Sequence, residues 1–201
     1  GMAVEADHLY IIPPNANLGI LHGVLQVLPG AVTHGALTTI DHFLRALALD
    51  QGPSAIGVIL SGSASDGTQG MKAIKAEGGI TLAQDEKSAL HPGMPKSAKA
   101  AGAVDIVLPP AGIARELARI AGEPLHEAVT ARQGLGDDLN TILFLLRSQS
   151  GHDFTGYKPN TIERRIRRRM WLHKLEGPAD YIQYLQRSPE EVEALFQDLL
   201  I

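Results

Sequence analysis

The chain has 201 residues, of which 44% are hydrophobic and 4% aromatic, and its formal net charge is −4. This length allows one large domain or two small ones, and the aliphatic composition is sufficient for packed cores. The negative charge argues against general nucleic-acid binding, and a sequence without cysteine excludes disulfides, thiol nucleophiles and cysteine-ligated zinc sites.

The first half of the chain alternates short apolar runs with helical patterns. Apolar runs predict strands, and these lie at 8–12, 55–60, 80–84 and 104–108. A hairpin is predicted over 18–28, around the turn residues His22-Gly23. Helical spacing occurs at 38–49, 69–76, 94–101 and 111–121. Alternating strands and helices are typical of a parallel sheet with helices on both faces, so we predict a doubly wound, mostly parallel α/β domain.

The pattern changes after residue 121. Pro124, Gly134 and Gly136 punctuate a polar stretch, which predicts a linker over 122–137. Beyond it no strand pattern occurs, and helical spacing covers 139–150, 161–175, 179–186 and 190–201. Ser188-Pro189 is a helix-start signal, with serine at the cap and proline at the first helical position. Residues 138–201 are therefore predicted to form a small all-α helical domain.

A loop rich in glycine and serine follows the predicted strand at 55–60. Asp66 lies in this loop directly before a helix, and the catalytic groups of open α/β sheets gather beyond the carboxyl ends of strands. Capping of the helix that follows is an equally compatible role for Asp66. The loop gives neither the GxGxxG pattern of a phosphate-binding turn nor the GxSxG pattern of a serine nucleophile. The eight histidines show no metal-binding spacing, so no metal site is predicted.

The densest positive charge lies on the predicted helix 161–175. With an advance of about 100° per residue, one stripe is apolar and forms the predicted packed face: Ile162, Ile166, Met170 and His173. The opposite side holds Arg164, Arg167, Arg168 and Trp171, while Arg165 and Arg169 flank the stripe. This side is either a solvated face or a docking surface for an acidic protein, because arginine makes bidentate contacts to carboxylates. Nucleic acid is a weaker alternative, since only one aromatic residue lies there.

Residues 2–121 resemble the C-terminal two-thirds of the catalytic domain of chemotaxis receptor methylesterases (CheB-type), which implies a partial, doubly wound, mostly parallel α/β domain over these residues. The matching stretches are LYIIPPN at 9–15, ILSGSASDG at 59–67, GITLAQD at 79–85 and GMP at 93–95. This family hydrolyses glutamyl methyl esters with a serine, a histidine and an aspartate, and Asp66 matches the aspartate. The serine and the histidine of the family belong to segments that precede residue 1. The resemblance therefore implies no esterase activity for this chain alone, and an active methylesterase only when a missing N-terminal segment or another chain completes it.

Residues 138–201 resemble the N-terminal helical domain of chemotaxis receptor methyltransferases (CheR-type). The match comprises the stretches 151–154, 157–159 and 164–170. It implies docking on the acidic helical methylation region of a receptor, through the family's basic positions: Lys158, Arg165, Arg168 and Arg169. S-adenosylmethionine binding is implied only for the α/β domain that follows in that family, so no cofactor is expected in this chain.

Together the two resemblances imply a fragment of a bifunctional receptor-modification protein of bacterial chemotaxis-type signalling, which docks without turnover. Loss of the early strands is expected to expose a sheet edge and an apolar face, so we expect a homo-oligomer or a strand-swapped dimer. No apolar run approaches the ~20 residues of a membrane span and no signal peptide is evident, so cytoplasmic residence without membrane insertion is expected. A nucleic-acid-binding helical module remains the alternative.

Overall fold

The computed structural model describes residues 1–29, 39–122 and 135–200. Contacts within the chain divide it into two compact units, Gly1–Glu123 and Pro124–Ile201. Of the predicted linker 122–137, residues 123–134 lie outside the described residues.

The first unit begins with a small antiparallel sheet. Its strands are β1 (Met2–Ala3), β2 (Ala16–Leu21) and β3 (Val24–Pro29), in the order β1-β3-β2. The hairpin prediction is confirmed, because β2 and β3 pair in antiparallel register around the two-residue turn His22-Gly23. Both turn residues have positive φ, 51° and 72°, and the twist of such turns matches that of the flanking strands.

A three-stranded parallel sheet follows in the same unit. Its strands are β4 (Ile56–Ile59), β5 (Ile80–Gln84) and β6 (Ile106–Leu108), in the order β4-β5-β6. The helices are α1 (Thr39–Gln51), α2 (Thr68–Ala76), α3 (Gly93–Ala100) and α4 (Pro110–Gly122), and a short 3₁₀ turn, Gly52–Ser54, precedes β4. The central strand β5 is buried along its whole length, as is typical of the middle strand of a parallel sheet covered by helices. The predicted partial parallel α/β sheet is confirmed.

The strand predicted over His8–Ile12 is wrong. Leu9 and Ile11 are 88% and 81% exposed while Tyr10 and Ile12 are half-buried, so the side chains alternate as in a strand. Among the described residues, however, no backbone hydrogen bond joins this segment to a neighbouring strand. An apolar run becomes a strand only where a partner satisfies its peptide groups. The Tyr10 hydroxyl instead donates to the carbonyl of Ala3 in β1 (3.2 Å).

Helices α1 and α2 approach each other closely at Gly70. A Cβ on Gly70 would lie 2.4 Å from Leu44 Cβ, so the contact requires glycine. Leu44 belongs to a buried core that includes Ile59 of β4 and Met71 of α2. This packing fixes the first turn of α1 beside the loop between β4 and α2.

The second unit has four helices and no strand within residues 135–200. They are α5 (Asp137–Ser150), α6 (Pro159–Leu172), α7 (Pro178–Arg187) and α8 (Pro189–Leu200), which confirms the predicted all-α region. The helix-start signal is also confirmed, because Ser188 Oγ accepts a hydrogen bond from Glu191 N (3.3 Å). One apolar core joins the helices and includes Ile142, Phe154, Ile166, Leu185 and Leu195.

Candidate functional site

Asp66 lies in the loop that connects β4 to α2. Its Oδ2 accepts a hydrogen bond from Ile40 N (3.1 Å), and its Oδ1 accepts from Asp41 N (3.0 Å) and Gly67 N (2.8 Å). Asp66 therefore caps α1, where the helix dipole also favours a carboxylate. Capping of the helix that follows the loop is wrong, because α2 begins after Gly67 without a side-chain cap.

Asp41 forms the reciprocal contact between the two helices. Its Oδ1 accepts a hydrogen bond from Gly70 N (2.7 Å) in the first turn of α2, and the residue is buried. Two carboxylates thus hold the first turns of α1 and α2 together. Asp66, just before α2, binds the first turn of α1, and Asp41 of α1 binds the first turn of α2. Sequence reasoning missed Asp41, because an acidic residue in a first helical turn indicates only a favourable dipole interaction.

The hydrogen bonds of Asp66 leave one acceptor position open. Oδ1 receives two N–H groups and Oδ2 receives one, whereas each carboxylate oxygen can accept two. In the described part of the chain, the donors to Asp66 are all backbone N–H groups and none is an imidazole. The geometry can accept the N–H of a histidine at Oδ2, which is the contact that an aspartate makes in a catalytic triad. The catalytic assignment of Asp66 stays a prediction.

The rest of this loop is held against α3. Gly62 N donates to the carbonyl of His91 (2.8 Å), and the Gly62 carbonyl accepts from Met94 N (2.9 Å). Ala64 has φ of +67°, a conformation that costs an L-residue other than glycine about 1–2 kcal/mol. Backbone strain of this kind concentrates in segments that the surrounding structure holds firmly, and functional loops are frequent among them.

Ser61 and His91 meet in the same loop without forming a nucleophile and base pair. Ser61 Oγ accepts a hydrogen bond from the backbone N of His91 (2.9 Å), not from its ring. Ser61 N donates to Gln84 Oε1 (2.9 Å) at the end of β5. These contacts connect the loops after β4 and β5, and they give Ser61 a structural role.

The prediction that the arginine residues of α6 form an exposed surface is wrong. Arg165, Arg168 and Arg169 are 4%, 0% and 8% exposed. Of the four predicted receptor-binding residues, only Lys158, at the cap of α6, is exposed. The arginine side of α6 packs within its own unit, so the predicted four-residue surface does not exist in this fold.

The buried arginines form ion pairs with α8. The guanidinium of Arg168 lies 3.2 Å from Asp198 Oδ2, and Arg169 Nε donates to Glu191 Oε1 (2.8 Å). The spacing of α6 could not reveal this, because the acidic partners lie 30 and 22 residues further along the chain. Arg168 and Arg169 therefore find their acidic partners in α8 of the same unit.

Glu191 is the centre of a buried polar cluster. In addition to its contacts with Arg169, Glu191 accepts a hydrogen bond at Oε1 from the Tyr181 hydroxyl (2.8 Å). Its Oε2 lies 2.7 Å from His173 Nε2. Burial alone would raise the pKa of Glu191, but hydrogen bonds from His173 and Arg169 lower that pKa to about 2. Burial raises the pKa of Tyr181, and the neighbouring Glu191 charge raises it further. Glu191 is therefore ionised at neutral pH and serves as a structural anion.

Acid should destabilise the second unit through Glu191. The folded-state pKa of about 2 lies below the ordinary 4.5, so the ionised carboxylate stabilises the fold above pH 4.5 and this contribution is lost as the pH falls towards 2. We expect the free energy of unfolding to fall by roughly 3 kcal/mol over this window. Urea unfolding at several pH values, followed by the fluorescence of Trp171 in α6, measures this loss of unfolding free energy. The exposed variant Glu190→Gln should keep the pH slope of the parent chain and Glu191→Gln should lose it; equal slopes would contradict the assignment.

Two further structural findings concern metals and membranes. The ranges 1–29, 39–122 and 135–200 contain no group of three or more histidine, aspartate or glutamate side chains arranged to hold a metal ion. None of the helices in these ranges combines the length and the apolar character that crossing a bilayer requires.

Comparison with known proteins relates the chain to two families. The model of the CheB methylesterase family matches residues 1–117, and the model of the CheR methyltransferase all-alpha domain matches residues 137–200. The whole chain is 31% identical to part of an uncharacterised 104.1 kDa protein of Rhodobacter capsulatus, of which it covers 23%. A protein-glutamate methylesterase/protein-glutamine glutaminase of Rhizobium meliloti is 36% identical over 65% of this chain and 38% of that protein.

A solved structure of a CheB methylesterase also matches part of this chain. The crystal structure of the Thermotoga maritima CheB methylesterase catalytic domain aligns with a TM-score of 0.51 and 30% identity, over 55% of this chain and 61% of that domain. The chain thus spans less than two-thirds of the length of each of these relatives.

Proposed function

Because the chain belongs to the CheB methylesterase family and continues into a CheR-type all-alpha domain, we propose that it is a docking fragment of a bifunctional receptor-modification protein. The activities of the whole protein would be glutamyl methyl-ester hydrolysis and glutamate methylation in chemotaxis-type signalling. The observation that carries the proposal is the Asp66 carboxylate, which follows a parallel strand and is oriented by three backbone N–H groups. The proposed location is the cytoplasm.

In the whole esterase, Asp66 would hold a histidine through the open position on Oδ2. This contact would fix the imidazole tautomer and stabilise the imidazolium that forms when the serine attacks the ester. Among the described residues, the hydrogen bonds of Asp66 come from backbone N–H groups and none from a histidine ring, and Ser61 is engaged with the backbone of His91. We propose that the chain alone has no turnover. An active methylesterase, completed by an N-terminal segment or another chain, is the second candidate, and the open acceptor position on Asp66 Oδ2 favours it.

The proposed partner of the second unit is the acidic helical methylation region of a receptor. Since Arg165, Arg168 and Arg169 are buried, the proposal now depends on the exposed Lys158 at the start of α6. The nucleic-acid alternative has lost its main support for the same reason. The proposal places no S-adenosylmethionine on residues 137–200, because this region matches the all-alpha domain of the CheR family.

Replacement of Lys158 by alanine should weaken docking modestly. One exposed ion pair contributes about 0.2–1 kcal/mol, so we expect up to about fivefold weaker binding to an acidic helical peptide, with a flatter dependence on salt. Titration of the 201-residue chain with such a peptide at two salt concentrations measures both. The matched control is Lys174→Ala, which removes another exposed lysine just beyond α6. Equal effects of the two variants, or no effect of Lys158→Ala, would refute docking at this position.

The proposal includes self-association of the first unit. Leu9 and Ile11 are among its most exposed large apolar side chains, and β4 has one neighbouring strand, β5, among the described strands. Association between copies is a common way to cover such features.

A further inference from the structure

The orientation of the Asp66 carboxylate depends on helix α1. Two of its three donors, Ile40 N and Asp41 N, belong to the first turn of α1, 26 and 25 residues earlier in the chain. The third donor, Gly67 N, is the next residue and moves with the loop that carries Asp66. Oδ2, the oxygen with the open acceptor position, receives its described hydrogen bond from Ile40 N. Whatever fixes the first turn of α1 against this loop therefore also fixes the direction of Oδ2.

Close packing brings the first turns of α1 and α2 together at two glycines. A Cβ on Gly67 would lie 2.9 Å from Ile40 Cγ2, and a Cβ on Gly70 would lie 3.3 Å from Asp41 Cα. Packing of this kind sets how near the two turns lie, but it is non-directional and does not by itself select one rotation of α1. A hydrogen bond does select a rotation, because it weakens steeply away from a linear geometry.

The side chain of Asp41 supplies this directional contact. Its Oδ1 accepts a hydrogen bond from Gly70 N at 2.7 Å, and the residue is 8% exposed. Gly70 N belongs to the first turn of α2, where N–H groups have no acceptor within the helix. Gly67, which precedes α2, has no side chain that could accept such a hydrogen bond, so the acceptor comes from α1.

We propose that Asp41 is the positioning residue for Asp66. One residue then carries both halves of the contact, because its side chain holds α2 through Gly70 N and its backbone N–H holds Asp66. Without the Asp41 carboxylate, the first turn of α1 would be free to rotate, and Ile40 N would leave Oδ2. The Asp66 carboxylate would then no longer be held towards a histidine. The catalytic part of this inference rests on the proposed esterase function, whereas the geometric part does not.

Electrostatics agree with this arrangement. The N-terminal ends of α1 and α2 both carry partial positive charge and lie side by side, which is unfavourable unless anionic groups lie between them. Asp66 precedes α2 and binds N–H groups of α1, while Asp41 belongs to α1 and binds an N–H group of α2. An asparagine at position 41 keeps an oxygen acceptor but not the charge, so Asp41→Asn separates the hydrogen bond from the charge.

Amide hydrogen exchange of Ile40 in the 201-residue chain tests the geometry without any turnover. Asp41→Ala should accelerate this exchange about fivefold to tenfold, the typical worth of one hydrogen bond, and so should Asp66→Ala. Asp41→Asn should stay within about twofold of the parent chain, because Gly70 N keeps its acceptor. Asp41→Glu keeps the charge but displaces the acceptor by one methylene, so it should also accelerate the exchange and serves if Asp41→Ala does not fold.

The matched control for exchange is Asp50→Ala. It removes a carboxylate from the last turn of the same helix, where it accepts the N–H groups of His22 and Gly23, and it should leave the exchange of Ile40 unchanged. Unchanged exchange in the folded alanine or glutamate variant of Asp41 would overturn the proposal. Equal acceleration in Asp41→Asn would also overturn it, because the charge and not the hydrogen bond would then hold α1.

Turnover by the chain completed with the serine- and histidine-bearing segment tests the catalytic consequence. Asp41→Ala should lower kcat by up to about 100-fold, the effect of misplacing a catalytic group by about 1 Å. KM should stay unchanged, because the aspartate–histidine contact gains its importance in the transition state. Asp41→Asn should restore kcat.

Asp105→Asn controls for stability in the turnover experiment. It weakens the same unit through β5, so its kcat per folded molecule should equal that of the parent. A kcat unaffected by Asp41→Ala, or lowered equally by Asp105→Asn, would refute the positioning role. If the completed enzyme gave no turnover that depends on Asp66, the proposed function would fail, while the exchange of Ile40 would still decide whether Asp41 positions Asp66.

Discussion

Replacement of Asp198 by alanine is expected to destabilise the second unit by roughly 3–5 kcal/mol, the typical loss on breaking a buried ion pair. Asp198 is fully buried, and its Oδ2 lies 3.2 Å from Arg168 and 3.7 Å from Arg169. The variant removes a counter-charge from Arg168, whose guanidinium is itself fully buried and therefore costly to leave without that carboxylate. A loss of this size would leave the unit mostly unfolded at moderate urea concentrations.

Urea unfolding followed by tryptophan fluorescence measures this effect selectively. Trp171 is the one tryptophan of the sequence and lies in α6. Glu193→Ala removes an exposed acid from the same helix as Asp198 and should cost little. The double variant Arg168→Met/Asp198→Leu should recover most of the stability, because apolar groups replace both charges together. If Asp198→Ala were no more destabilising than Glu193→Ala, the ion pair could not hold α6 and α8 together.

Replacement of Asp105 by alanine is expected to destabilise the first unit by a similar amount, roughly 3–5 kcal/mol. Asp105 Oδ2 accepts hydrogen bonds from Thr81 N (2.9 Å) and Thr81 Oγ1 (2.7 Å) in β5, and Oδ1 lies 3.5 Å from Lys75 Nζ of α2. Both charged side chains are buried, at 7% exposure for Lys75 and 0% for Asp105. The variant therefore removes the carboxylate that faces Lys75. It also removes the oxygen that accepts the hydrogen bonds of Thr81 in the central strand.

Two further variants separate these contributions. Asp105→Asn keeps an oxygen acceptor for Thr81 but removes the charge, so its loss should lie between those of the parent chain and Asp105→Ala. Glu86→Ala, at an exposed position, should be close to neutral. Hydrogen exchange of the β5 amides in the 201-residue chain reports the stability of the first unit. Equal exchange in Asp105→Ala and Glu86→Ala would disprove the role of the ion pair.

Local signals predicted much of this fold. The apolar runs at 55–60 and 80–84 predicted the strands β4 and β5, and His22-Gly23 predicted the hairpin turn. Ser188-Pro189 predicted the start of α8. These signals act within a few residues, through backbone conformation and side-chain period, so a sequence displays them directly.

Contacts between distant segments could not be predicted in this way. Asp66 caps a helix whose first turn lies 25 and 26 residues earlier in the chain, and Arg168 meets Asp198 30 residues later. The projection of α6 correctly placed Ile162 and Ile166 in the packed stripe, but it treated charge as a sign of exposure. Charged residues enter a core when a counter-charge meets them there, and the position of that counter-charge is set by the tertiary fold.

The release of methanol from a glutamyl methyl ester tests the assignment of Asp66 most directly. We predict no turnover for the 201-residue chain alone. Addition of the serine- and histidine-bearing segment of a methylesterase relative should give turnover that Asp66→Ala abolishes. The matched control is Asp50→Ala, which also removes a carboxylate bonded to backbone N–H groups, those of His22 and Gly23, and should leave turnover unchanged. Turnover by the chain alone that depends on Asp66, or completed turnover that survives Asp66→Ala, would contradict the role proposed for this carboxylate.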